Sequence, residues 1–432
     1  MLRIVNKILI GLVVILTVSC VENKTAPDST SQPKQNDVTA KDILGNPDYL
    51  AISYGGYRGK TRQQQPTMAQ LKEDLKILHA MGIRVLRTYN VQEPLPHASN
   101  VLKAITELKN EDAAFEMYVM LGAWIDCKNA WTELPPDHNE ESEQNEGEIA
   151  RAVALANKYP DIVKVLAVGN EAMVKWAASY YVQPSVILKW VTHLQNLKDQ
   201  GKLPKDLWIT SSDDFASWGG GDPEYHTKDL EELIKAVDFI SMHTYPYHNT
   251  HYNPQFWGVL TTEEGLSKEE KIKAAMQRAV QFAQGQNKAV TDHMKSLGVN
   301  KPIHIGETGW ATVSDGYYGP DGSKATDEYK EALYHKYMRE WTKKEGISCF
   351  YFEAFDEKWK DARNSNGSEN HFGLFTVDGK AKYALWEMVD EGVFEGLGRG
   401  GKPITKTYNG NKEKMMADVL LPAVKEELIL NE

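Results

Sequence analysis

Val163-Lys-Val-Leu-Ala-Val-Gly-Asn-Glu171 is an apolar run that stops at a glycine and is followed at once by a carboxylate. Ile303-His-Ile-Gly-Glu-Thr-Gly-Trp310 has the same design and presents Glu307. Short apolar runs without polar alternation are what strands buried on both faces of a parallel sheet require. A carboxylate just past the C-terminal end of such a strand stands at the mouth of the sheet, where the binding and catalytic groups of α/β proteins collect.

Outward from these two segments, similar runs occur at 49–54, 83–89, 115–121, 207–211, 239–243 and 347–352, which with 163–168 and 303–306 predict eight strands. Helical periodicity fills the gaps at 68–81, 98–109, 146–158, 184–200, 230–236, 268–297 and 326–344. This alternation makes an α/β fold, a (β/α)₈ TIM barrel, the expected architecture, with a doubly wound open sheet as the alternative. Long segments after strands, at 124–144, 245–263 and 356–375, lie where barrel enzymes build their sites. The catalytic domain is expected over 46–395, and 396–432 reads as a C-terminal appendage packed on the barrel or trailing from it.

A formal net charge of -11 argues against a nucleic-acid partner, since that affinity rests on Lys and Arg neutralising phosphates. The 11 Trp and 20 Tyr suit the apolar faces of sugars, although most aromatics in a large α/β protein are core. Residues 1–20 read as an export signal: Arg3 and Lys7, an apolar stretch over 8–18, then Ser19 and Cys20. The small residue before Cys20 resembles the lipobox of bacterial lipoproteins, which implies lipidation of Cys20 and an exported, membrane-anchored chain. Residues 21–45, poor in apolar side chains over most of their length, read as a flexible tether. Cys127 and Cys349 lie in apolar runs and are expected as buried free thiols rather than a disulfide.

On this strand count Glu171 ends the fourth strand and Glu307 the seventh, facing each other across the barrel mouth. Glycoside cleavage needs such a pair, one carboxyl protonated to donate to the leaving oxygen and one ionised to meet the anomeric carbon. The surrounding residues carry a resemblance. Arg87-Thr88-Tyr89, Gly169-Asn170-Glu171, Tyr245-Pro246-Tyr247, Glu307-Thr308-Gly309-Trp310, Phe355-Asp356-Glu357, Lys360 and Glu369 through Phe375 stand in the order seen in glycoside hydrolase family 17, the β-1,3-glucanase family. The chain resembles that family from Tyr49 to Trp386.

The resemblance implies a barrel in which Glu171 is the acid/base and Glu307 the nucleophile, with retention of configuration. Substrate contacts are expected from Asn170, Arg87, Tyr245, Trp310, Glu357, Trp359, Lys360 and Glu369. Asn170 is placed to bond the sugar 2-hydroxyl, and Tyr245 and Arg87 to keep Glu307 ionised. Trp310 and Trp359 are the first candidates for stacking on sugar because each abuts a motif, with Trp124 next. No cofactor and no metal is expected; His243 is read as lining the barrel, and His248 and His251 as loop residues. Gly396 to Gly401 fits a dinucleotide pattern only formally, because it follows a helix rather than a strand.

The function so implied is a retaining endo-β-1,3-glucanase acting on laminarin-like glucans, working as a monomer. A β-1,3-glucan transglycosylase and a non-catalytic glycan-binding lipoprotein are the alternatives.

Overall fold

The apolar runs form eight parallel strands: β1 (Leu50–Ser53), β2 (Ile83–Arg87), β3 (Tyr118–Ala123), β4 (Val163–Asn170), β5 (Trp208–Asp214), β6 (Ile240–His243), β7 (Ile303–Gly309) and β8 (Cys349–Phe352). Each pairs with its neighbour in the chain, and β8 closes on β1 with Ile52 opposite Tyr351, giving a closed barrel. The computed structural model describes residues 38–423, so residues 1–20, with Cys20, and residues 21–37 lie outside the described part.

Between the strands run α1 (Met68–Ala80), α2 (His97–Glu111), α3 (Gln144–Lys158), α4 (Pro184–Asp199), α5 (Lys228–Ala236), α6 (Lys268–Ser296) and α7 (Glu328–Glu345). Their starts are chemically marked. Thr67 Oγ1 accepts from Gln70 N–H at 3.3 Å while Gln70 Oε1 accepts from Thr67 N–H at 2.9 Å, and Ser267 with Glu270 repeats this reciprocal cap on α6. One apolar stripe of each helix packs on the outside of the barrel, where Leu71, Leu75, Ile105, Ile187 and Leu233 are all buried.

The strand interiors change character along their length, because residues two apart share a face. Near the floor Ala51, Val85, Met120, Ala167, Phe239 and Phe350 form a small apolar cluster. Two residues further on, Ser53, Arg87 and Ser241 are buried polar groups. Gly306 belongs to this polar level, where a Cβ would come within 2.1 Å of Ser241 Oγ.

One boundary differs from the sequence reading. The tether does not extend to residue 45: Ala40–Ile43 is a short helix whose Ala40 and Ile43 are fully buried with Leu44 under the barrel, and Gly45 N–H donates to Ser348 Oγ at 2.8 Å. Three apolar side chains among polar neighbours suffice to dock this end. The described part of the appendage, to residue 423, is packed on the barrel, with 424–432 outside the described residues: Gly398–Arg399 pairs with Lys402–Pro403, and buried Arg399 grips Asp74 of α1 through Nε at 2.8 Å and Nη2 at 3.0 Å. Cys127 and Cys349 are buried and unbridged.

Candidate active site

The C-terminal ends of the strands converge on a cleft of about 630 Å³ whose lining includes Asn170, Glu307, Glu357, Trp359, Lys360 and Glu369. At the end of β4 the chain must leave the ladder abruptly. Gly169 has φ 82°, where a Cβ would lie 2.8 Å from the Ala172 Cβ, and Glu171 itself has φ 49°. The left-handed turn needs glycine at 169 and re-aims the next carboxylate inward, held by Glu171 N–H donating to Ser212 O at 2.9 Å.

Glu307 lies on β7, in register with His243 of β6. Its Oε1 accepts from the Tyr245 hydroxyl at 2.7 Å and its Oε2 from Arg87 Nη1. Arg87, 1% exposed, also donates through Nη2 to Asn170 Oδ1 and lies 3.3 Å from His243 Nε2. Because Arg87 has only donors, His243 Nε2 faces it as acceptor, so Nδ1 carries the proton and donates to Glu171 Oε1 at 3.0 Å. Ser212 Oγ completes the set at 2.7 Å from His243 Nε2 and 2.9 Å from Ser241 Oγ. With its Oδ1 bonded to Arg87, Asn170 keeps its amide N–H groups for the cleft it lines.

The two carboxyls are close and electrostatically unequal. An oxygen of Glu171 and an oxygen of Glu307 lie within 4.8 Å. Burial, and then the charge of Glu307, raise the Glu171 carboxyl well above its ordinary range. Burial acts on Glu307 in the same direction, but the Arg87 charge and the hydrogen bonds from Tyr245 and Arg87 outweigh it and hold this carboxyl below its ordinary range. Burial and the Glu307 charge keep the Tyr245 hydroxyl protonated and therefore a donor. Burial lowers His243 to about 4, so the ring is neutral at pH 7.

A second charged group flanks the pair. Lys360 Nζ bonds Glu353 Oε2 at 2.8 Å, sits 3.7 Å from Glu357 Oε2, and lies 3.8 Å from the centre of the Phe352 ring. Glu357 accepts from Tyr57 N–H at 2.9 Å and from Trp359 Nε1 at 2.8 Å, so it is not part of a solvated charged face. Burial raises Glu369 and Glu353, with Lys360 opposing in both cases.

Of the residues singled out in the sequence, Glu171, Asn170, Arg87, Tyr245 and Glu307 form one hydrogen-bonded set. Glu357, Trp359, Lys360, Glu369 and Trp124 border the same cleft. Trp310 does not. Its ring is fully buried behind β7, packed on Tyr334 of α7 at 5.0 Å and on Trp257 at 5.6 Å, with Nε1 donating to Ala325 O at 2.8 Å. It lies one residue beyond Gly309, on the outer face of the strand, and adjacency to the motif was no guide to its direction.

His243, Ser212, Glu353, Tyr57 and Trp131 escaped the sequence reading as site residues. For His243 and Ser212 the only local signal is position near the end of a predicted strand. Among the described residues Glu171, His243 and Glu307 are the one grouping compact enough to hold a cation. Arg87, bonded to Glu307 and 3.3 Å from His243, already supplies positive charge there.

Comparison with known proteins bears on the family and the fold. Residues 51–373 match the family model described as the BtgE/BtgC glycoside hydrolase domain. The structure of an endo-laminarinase from Formosa Hel1_33_131 is 71% identical, with TM-score 0.89 over 90% of this chain and 98% of that one. A glucan 1,3-beta-glucosidase of Arthroderma benhamiae is 27% identical over 323 residues, 73% of this chain and 83% of that protein. The glucan 1,3-beta-glucosidase of Schizosaccharomyces pombe, 27% identical, is matched over only 58% of its length. A β-1,3-glucanosyltransferase of Rhizomucor miehei, at 20% identity and TM-score 0.51, shares the fold.

Proposed function

We propose that this chain, which belongs to the BtgE/BtgC glycoside hydrolase family, is a retaining endo-β-1,3-glucanase that cleaves laminarin-like glucans by double displacement. The carrying observation is an oxygen of Glu171 within 4.8 Å of an oxygen of Glu307, in surroundings that favour the proton on Glu171 and the charge on Glu307. So close an approach supports the carboxyl separation of about 5–5.5 Å used for a covalent glycosyl-enzyme over the roughly 6.5–9.5 Å that leaves room for water between substrate and base.

Glu307 attacks the anomeric carbon as the glycosidic C–O bond breaks, and Glu171 gives its proton to the departing oxygen. Glu171, now a carboxylate, takes a proton from water, whose oxygen displaces Glu307. Arg87 and Tyr245 keep the nucleophile ionised before attack. Asn170, fixed by Arg87, presents its amide to the sugar 2-hydroxyl, a contact that strengthens in the oxocarbenium-like transition state. Glu357, Trp359, Lys360 and Glu369 are read as sugar-binding groups of the same cleft. Export and lipid attachment at Cys20 are part of this proposal and rest on the residue pattern at 1–20.

Glu307→Gln should lower the release of oligosaccharides from laminarin by at least about 10⁴-fold while leaving the fold intact, the scale of removing a nucleophile. Unchanged release would sink the assignment.

A further inference from the structure

The loop after β3 contains a feature that neither the carboxylate pair nor its flanking charges use. It folds back as a hairpin in which Cys127–Lys128 pairs with Asp137–Glu141. Between those strands Asn129 and Trp131 take φ of 64° and 63°. A left-handed backbone is uncommon for a bulky aromatic residue, and it marks a conformation held for a purpose other than local comfort. Burial is not that purpose, because Trp131 is 62% exposed.

The ring is nevertheless fixed. Trp131 stacks on Tyr180 at 5.1 Å with planes 24° apart, and Trp124 meets the same Tyr180 at 5.1 Å. Buried Asp126 accepts from Trp124 Nε1 at 3.2 Å and so holds the second indole that packs on Tyr180. Trp131 and Trp124 both line the cleft that holds Glu307. An immobilised indole with one face against tyrosine and the other open is suited to the apolar face of a pyranose ring.

Its place decides which part of the substrate it meets. Tyr180 reaches the main chain of the acid/base segment, its hydroxyl 3.5 Å from Asn170 O. Lys360 and Trp359 follow β8, across the barrel from β4, in the neighbourhood of Glu307. The proton donor stands on the leaving-group side of the scissile bond, so a platform joined to its segment meets the leaving chain.

We propose that Trp131, backed by Tyr180, is an aglycone-side platform that binds the departing glucan segment and afterwards an incoming glucan acceptor. In the acceptor role the C1–O bond to Glu307 breaks, a C1–O bond to the acceptor hydroxyl forms, and that hydroxyl's proton passes to the Glu171 carboxylate. The inference rests on the proposed double displacement and adds the residue that governs how the glycosyl-enzyme divides between water and sugar.

The test compares wild type with Trp131→Ala on two substrates. β-Laminaribiosyl fluoride fills only the nucleophile side, since fluoride needs no platform. Its kcat/KM should stay within about twofold in Trp131→Ala, whereas kcat/KM on laminarin should fall about tenfold, the scale of one lost stacking partner. Elongated products from laminarioligosaccharides at high concentration should fall in parallel, and Trp131→Phe should recover most of both losses. Equal losses on fluoride and laminarin would make the ring merely structural and overturn the platform. No loss on laminarin would overturn it as well. Wild type that makes no elongated product at any acceptor concentration would refute the acceptor role. Wild type inert toward the fluoride would instead refute the displacement reading, and the platform with it.

Discussion

At the floor of the barrel, Phe239 and Phe350 meet Ile43 and Leu44, and each of these side chains is apolar and buried. Two to four residues further along the same strands, Arg87, Ser212, Ser241 and His243 are just as buried but polar, and they surround two carboxyls. Burying charged and polar groups costs stability that burying apolar ones does not, so the floor contributes more to the fold than the mouth does. Stability and chemistry are thus separated along one set of strands, and substitutions at the two levels should fail in different ways.

The largest effect is expected at the mouth. Arg87→Met removes the charge that keeps Glu307 ionised and the donor that orients Asn170. It should lower kcat/KM by on the order of 10³-fold, about 4 kcal/mol of transition-state stabilisation. Kinetics on laminarin, with circular dichroism as a folding control, check this. At the floor, Ile43→Ala should cost about 3 kcal/mol of unfolding free energy through a cavity under the barrel, yet leave kcat within about twofold. Denaturant titration beside the same assay separates the two, and a large kcat loss there would break the division between levels.

A smaller effect sharpens the electrostatics. Activity requires ionised Glu307 and protonated Glu171. The rate therefore rises with pH through the lowered Glu307 titration and falls through the raised Glu171 titration. Tyr245→Phe deletes a hydrogen bond to the ionised form of Glu307, so the acidic limb should move to higher pH by about one unit while the basic limb stays. A profile of kcat/KM against pH reads this directly, and movement of the basic limb alone would contradict the assignment of Tyr245 to Glu307.

The barrel was legible in sequence because strands of a parallel sheet are buried on both faces and read as plain apolar runs. All eight runs became strands, with ends moved by a few residues, as where β4 continues to Asn170 and β7 to Gly309. Glu171 and Glu307 were visible because each closes such a run at a glycine. The bonds that make them unequal were not, since Arg87 meets Glu307 across 220 residues and His243 meets Glu171 across 72. No local pattern carries a contact of that span; the motif resemblance supplied Arg87 and Tyr245, and without a motif His243 was read only as barrel lining. Trp310 and Trp131 mark the same limit from two sides. Beside a motif Trp310 turned outward into the helix layer, and inside a polar loop Trp131 turned toward the cleft. Ring direction depends on backbone geometry at one residue, which composition does not encode.

The central claim is that Glu307 bonds to the sugar and Glu171 only moves protons. A 2-deoxy-2-fluoro-β-laminaribiosyl fluoride traps a glycosyl-enzyme, because the 2-fluorine slows its breakdown more than its formation. Digestion and mass spectrometry of the trapped protein should find one added disaccharide, on the peptide containing Glu307. Label on Glu171, or turnover of substrate with no covalent species at any time, would contradict the account.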